Sequence, residues 1–267
     1  MKKIIDFRNK KEFFNYLVEN KELIITEKKS TIKHADCISL IAPEVTQKST
    51  APIDYNVDEI KIRAIINTTN LMDSHDDVHL KGIWKKSLQE NNKILHLQEH
   101  KMQFDKIISK GEDLKAFTKN YNWNELGVDY KGMTEALVFD SVVKKTKNEY
   151  MFNQYKDGNV DNHSVGMQYI KIFLAINDEN YKEEFEVWKK YYYEIANKEQ
   201  ADSMGYFFAV TEAKVIEGSA VVKGSNWVTP TLSNNMKNEP FENTHKNTES
   251  LINTQTINYL IQNFKLK

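Results

Sequence analysis

The sequence predicts an α+β fold that is mainly β, with a β-barrel or β-sandwich core and a few surrounding helices. Short apolar runs alternate with charged residues at Leu23-Ile24-Ile25 and from Ile60 to Ile66, as half-buried strands do. Similar runs recur at Lys93 to Leu97, Asp105 to Ser109, Leu114 to Tyr121, Val128 to Val138, Val160 to Ile176 and Tyr206 to Val222. Helices do not alternate regularly with them, which argues against a doubly wound parallel sheet.

Three helices interrupt the series. One lies near Trp84 to Asn91, and a second spans Asp140 to Tyr155, using Val142, Val143, Met151 and Phe152. In the third, Tyr181 to Ile195, the residues Tyr181, Phe185, Trp188, Tyr192 and Ile195 recur every three or four positions between charges. That stripe has to be buried, by default on its own domain. After Pro230 the composition turns to Asn, Thr, Lys and Glu through Ser250, as in a polar linker. Beyond it Leu251, Ile252, Ile257, Leu260, Ile261 and Phe264 have the spacing of a short amphipathic C-terminal helix. The organisation expected is an N-terminal extension over residues 1–57 partly packed on the core, a main domain over 58–231 with a helical insertion near 178–200, and a tail over 232–267.

The 267 residues carry 37 Lys+Arg against 38 Asp+Glu, a net charge of −1 that lacks the electrostatic footprint of a dedicated nucleic-acid binder. The lone Cys37 excludes an intramolecular disulfide and any multi-cysteine zinc site, which suits a reducing cytosol. No apolar run approaches the roughly 20 residues of a membrane-spanning helix, so a soluble protein is expected. Arg8 and Arg63 are the only arginines, which disfavours mechanisms needing several guanidinium groups.

Several segments carry donors suited to chemistry. Asp73 to His79 is rich in oxygen and imidazole groups, but His75 and His79 would share a face only on a helix, and the segment reads as a polar loop. His96 and His100 have a helical zinc spacing within a stretch that reads as strand, where His96, Gln98 and His100 would face one way. No third ligand accompanies them, so no metal is assigned. In Asn162-His163-Ser164-Val165-Gly166-Met167, a serine opens an apolar strand, and the Val165 and Gly166 amides could face a developing oxyanion. Gly166 also permits close approach of another group. Glu217 lies in the otherwise apolar Val215 to Val221 and needs a positive or hydrogen-bonding partner, for which a histidine serves; Glu212 competes for the same role.

Taken in order, these segments resemble the prohead maturation serine proteases of tailed bacteriophages, relatives of the herpesvirus protease assemblin. The resemblance rests on Asp73 to Asp77 with Gly82 and Trp84, on Ile94-Leu95-His96-Leu97-Gln98-Glu99-His100, on Ser164-Val165-Gly166-Met167, and on Glu217-Gly218-Ser219-Ala220-Val221 followed by Thr229-Pro230. It covers roughly Ile60 to Thr231. Met167 departs from a usually aromatic position, the helix Tyr181 to Ile195 looks like an insertion, and no arginine follows Arg63 to assist an oxyanion site. The resemblance implies a herpes-protease-like β-barrel and a serine endopeptidase with His100 as base, Ser164 as nucleophile and Glu217 as orienting carboxylate, without cofactor or metal. It further implies scaffold and capsid-protein segments as substrates, self-cleavage, homo-oligomerisation as an open possibility, and action in the host bacterial cytoplasm inside the immature prohead. No specific nucleic acid or membrane is expected as partner. The alternative is a catalytically inactive capsid assembly or scaffolding protein on the same fold.

Overall fold

Two sheets, and not one closed barrel, absorb the alternating segments. The computed structural model describes residues 7–30, 32, 57–91 and 93–232. The strands β1 (Glu59–Thr68), β5 (Leu114–Asn122), β6 (Met133–Lys144) and β9 (Thr231–Leu232) form an antiparallel sheet in the order β5-β6-β1-β9. The second sheet contains β2 (Asp77–His79), β3 (Leu95–Gln98), β4 (Ile107–Lys110), β7 (His163–Ile176) and β8 (Tyr206–Ala220). Its spine is β8. Along one edge β8 carries β7 antiparallel; along the other it carries β2 near Phe208 to Val210 and β3 near Glu217 to Ala220, both parallel. β4 completes this sheet by pairing with β3. The expected barrel is therefore corrected: among the described residues no ladder joins the two sheets. Alternation reports only that a strand has a buried face, a condition that stacked sheets and a closed barrel meet equally.

The period of two sorts the apolar side chains into three layers. Ile62, Ala64 and Ile66 of β1, with Leu137 and Phe139 of β6, meet Val165 and Met167 of β7 and Phe208, Val210 and Val215 of β8 between the sheets. The intervening Ile65, Ala136 and Val138 face outward to Trp123, Leu126 and Val228. On the far side of the second sheet, Phe207 and Ala209 are covered by Trp188, Ile195 and Ala201. Each such fully buried large side chain contributes about 1.5–3 kcal/mol.

The helices α5 (Lys182–Tyr191) and α6 (Lys198–Met204) supply that outer cover and lie between β7 and β8 in the chain. Trp188 stacks on Tyr192 with ring centroids 4.9 Å apart and leans on Phe207, so the aromatic stripe is buried on its own domain as expected. The helix near Trp84 is α3 (Lys85–Glu90). The helix expected over Asp140 to Tyr155 is shorter: β6 continues to Lys144, and α4 covers Glu149–Lys156. Arg63 of β1 grips Asp140 through two bonds of 2.6 and 2.7 Å, and the β-branched Val142 and Val143 favour the pleat. Helix formation waits for the Asn148 cap, whose side chain accepts the Met151 N–H.

A further correction concerns Leu23-Ile24-Ile25, which is helix and not strand. The N-terminal extension forms α1 (Lys10–Glu19), capped by Asn9, and α2 (Lys21–Ser30). In α2, Glu22 in the first turn and Lys28 and Lys29 in the last match the helix dipole. Phe14 and Leu17 of α1 enter the main core. Lys28 reaches the fully buried Asp77 at 2.5 Å and lies over the Phe208 ring. No described helix is long and apolar enough to cross a membrane. Cys37, most of the linker and the amphipathic segment Leu251 to Phe264 fall outside the described residues.

Candidate active site

A register slip in the β7–β8 ladder builds the site. Ser164 pairs with Ser219 and Gly166 with Glu217, but Met167 pairs with Val215, so Ile216 is an extra residue on β8. A bulge of this kind reverses which face the following side chains occupy. Val215 points into the core between the sheets. Past the bulge Gly218 takes that face, where a β-carbon would lie 2.5 Å from Phe139 and 2.8 Å from Ile66. Glu217 and Ser219 consequently share the opposite face with Ser164 and Gly166. The backbone groups freed at Val215 are taken up by α3: its N–H donates to Ser87 Oγ at 2.8 Å, and its carbonyl accepts from Asn91 Nδ2 at 2.8 Å.

Glu217 is fully buried, so its carboxylate depends on partners for stability. One oxygen meets His100 Nδ1 at 2.6 Å, and the other accepts the Ser219 hydroxyl at 2.6 Å. Space for the carboxylate exists because residue 166 is glycine; a β-carbon there would lie 1.9 Å from Glu217 Oε1.

His100 arrives by a strained turn. β3 ends at Gln98, and Glu99 and His100 both adopt left-handed backbone, with φ of 51° and 57°. For residues other than glycine this costs on the order of 1–3 kcal/mol each. Three bonds hold the turn: Glu99 N–H to the Ala220 carbonyl (2.9 Å), Lys101 N–H to the Gln98 carbonyl (3.0 Å), and His100 N–H to Ser219 Oγ (3.0 Å). The expectation that His96, Gln98 and His100 share a strand face is thereby corrected, because the turn redirects His100 toward Glu217. With Nδ1–H donating to the carboxylate, Nε2 is the basic nitrogen of the neutral ring.

Ser164 is buried at the start of β7, across the ladder from the same Ser219 that holds His100. Nucleophile candidate and base candidate thus flank one residue. Among the described hydrogen bonds there is none between Ser164 and His100. Glu212, the competing carboxylate, lies elsewhere on β8, where Lys171 at 2.5 Å and Lys86 at 3.6 Å hold it below the usual carboxylate range.

The two expected oxyanion amides are not equivalent. Val221 N–H donates to the Asn162 carbonyl, and His163 N–H turns away from β8 to Thr229 Oγ1. Antiparallel alternation then points the amides of Ser164 and Gly166 into the ladder and that of Val165 out of it. By this alternation the Gly166 N–H is directed toward β8, while Val165 keeps an outward-facing N–H.

The histidine nearest Ser164 in sequence, His163, belongs to a different network. Its Nδ1 meets the Thr229 carbonyl at 2.9 Å, and its Nε2 meets the Tyr155 hydroxyl at 3.0 Å. Tyr155 also meets His96 Nε2 at 3.0 Å, His96 Nδ1 meets Ser141 Oγ at 2.9 Å, and Ser141 meets Ser109 Oγ at 2.6 Å. One proton order satisfies every member: Ser109 donates to Ser141, Ser141 to His96, His96 to Tyr155, Tyr155 to His163, and His163 to the Thr229 carbonyl. Burial lowers His163 to about 4 and His96 well below its ordinary value, so both rings are neutral.

The Asp73 to His79 segment is likewise structural. Asp73 Oδ1 accepts the N–H groups of His75 (2.8 Å) and Asp77 (3.0 Å), and burial pushes its carboxyl up to about 7. His79 Nε2 meets the Tyr169 hydroxyl, which donates to Asp77, and burial lowers His79 to about 4. Among the described residues no group of three or more His, Cys, Asp or Glu is placed to hold a metal.

Sequence reasoning assigned no task to Ser219 and did not foresee the Tyr155 network. The signal for Ser219 was present: two residues beyond Glu217 on a strand, it had to share that residue's face. In comparisons with known proteins, the chain matches no family model, no curated protein and no solved structure.

Proposed function

We propose that this protein is a serine endopeptidase of the prohead maturation class, on a relative of the herpes-protease fold opened into two sheets, acting on scaffold and capsid-protein segments and on itself within an immature phage shell. The observation that carries the reading is the buried Glu217 carboxylate 2.6 Å from His100 Nδ1, with Ser164 on the adjacent strand. Such a carboxylate fixes the ring's tautomer and orientation and stabilises the imidazolium formed during attack. His100 Nε2 takes the Ser164 proton as Oγ attacks the peptide carbonyl, and the outward Val165 N–H serves as an oxyanion donor. The proton then passes to the leaving amine as the C–N bond breaks, and water hydrolyses the acyl-enzyme by the reverse relay. The assignment of capsid substrates and phage location rests on the sequence resemblance alone.

The test is incubation of the full chain with a serine-directed phosphonate, followed by peptide mass mapping. A single adduct on Ser164 that disappears in Ser164→Ala and His100→Ala is the expected result; an adduct on another residue, with Ser164 untouched, refutes the assignment. A second reading is an inactive assembly protein on the same fold. That reading expects no adduct at Ser164 even when capsid protein and scaffold are added.

A further inference from the structure

We infer that Ser219 is a positioning residue of this site, acting through Glu217 and His100 and not on substrate. The inference rests on the endopeptidase reading for its catalytic meaning and on separate geometry for its substance. One hydroxyl performs two tasks: Ser219 Oγ donates to Glu217 Oε2 at 2.6 Å and accepts the His100 N–H at 3.0 Å. A hydroxyl carries one proton and two lone pairs, so both bonds are compatible, and the directions are forced because an amide only donates and an ionised carboxylate only accepts.

Each bond addresses a specific weakness. The carboxylate is fully buried, and His100 engages one of its oxygens; the Ser219 proton occupies the other and prevents rotation about the terminal torsion. The His100 backbone is left-handed, a conformation that persists only where surrounding contacts over-determine it. Ser219 supplies the contact at that residue. It also sits opposite Ser164 in the β7–β8 ladder, so a single side chain ties orienting carboxylate, base and nucleophile strand into one frame. Glu217 meets the ring from β8, and on the turn itself Glu99 and Lys101 pair with each other at 2.6 Å.

Removing the Ser219 proton leaves more of the carboxylate's negative charge for the imidazole, which favours the charged ring. The sign is therefore an upward shift of the His100 titration. Two measurements on the full chain separate this proposal from the one beneath it. The first is the His100 imidazole titration by NMR in a Ser164→Ala background, which reads the contact whether or not the protein cuts peptides. Ser219→Ala is expected to raise the His100 midpoint by about one pH unit and to shift the Nδ1–H resonance. Ser219→Thr, which retains the hydroxyl, is expected to restore both. The second is the rate of phosphonate labelling at Ser164, expected to fall on the order of tenfold in Ser219→Ala and to recover in Ser219→Thr. An unchanged titration and unchanged Nδ1–H resonance in Ser219→Ala overturns the positioning role. A shifted titration with no labelling of the protein that retains Ser164 sinks the endopeptidase reading while upholding the contact. Should Ser219→Ala fail to fold, Ser219→Cys replaces it: a weak donor there is expected to give an intermediate shift, and a titration identical to that of Ser164→Ala overturns the role.

Discussion

His100, held by the Ser219 that pairs with Ser164 across the ladder, and His163, next to Ser164 in sequence, have opposite surroundings. His163 donates Nδ1–H to a neutral carbonyl and accepts at Nε2 from Tyr155, so both ring nitrogens are committed and burial lowers its pKa to about 4. His100 donates Nδ1–H to a buried carboxylate and sits on a turn with two left-handed residues. The first arrangement secures β7 to the Thr229 segment; the second gives the imidazole a carboxylate partner, as the proposed base requires. The partner of Nδ1, and not proximity along the chain, separates a structural histidine from a candidate base.

The largest expected effect breaks the comparison at its functional end. His100→Ala should reduce phosphonate labelling and peptide cleavage by roughly a millionfold, as loss of a triad member does, and should also lower the urea midpoint, because the buried Glu217 carboxylate loses a partner. Equal loss in a His163 variant of parent stability would show that the two rings are not separated as described. Gly166→Ala follows, since its β-carbon would meet Glu217 Oε1 at 1.9 Å. Cleavage should fall about a hundredfold through displacement of the His100 partner. Overpacking should lower stability by about 1–3 kcal/mol, read from urea unfolding monitored by circular dichroism.

Tyr155→Phe probes the structural end. It removes the acceptor of His96 Nε2–H and the donor to His163 Nε2, so stability should drop by about 2–3 kcal/mol. The labelling rate of Ser164 in the folded protein should barely change; a parallel collapse of both readouts would merge the two regions into one.

A further expected effect is pH-dependent. His163 and His79, at about 4, and His96, also lowered, have folded pKa values below the unfolded value of about 6.5. Their contribution is present above pH 6.5 and is lost as pH falls toward 4, because the unfolded chain gains protons first. Asp73, raised to about 7, works the other way: its contribution is complete below the ordinary value of 3.8 and fades as pH rises to 7. Urea midpoints should therefore decline from pH 6.5 to 4, and Asp73→Asn should make that decline steeper.

The corrections share a cause. Leu23-Ile24-Ile25 is too short a run to separate period two from period 3.6, and the charges at both ends of Lys21–Ser30 decide for helix. Val142 and Val143 fit a helical count, but their cross-strand partners Lys61 and Ile60 hold them in β6. Ser164, His100 and Glu217 were legible as types in order. The contact of Glu217 with His100 was not, because the face Glu217 occupies depends on one extra residue, Ile216, that no periodicity announces.

What the chain alone determined was composition at each position: which strands alternate, that the Trp188 stripe requires cover, and that a carboxylate in the apolar Val215 to Val221 run requires a partner. Those follow from local rules, since side-chain period and the cost of burying charge act wherever a residue sits. Which sheet each strand joins, which face Glu217 occupies, and which of two nearby histidines receives it were decided by tertiary pairing. A single-residue slip between β7 and β8 reverses every side chain beyond it, and only the partner strand determines where that slip falls.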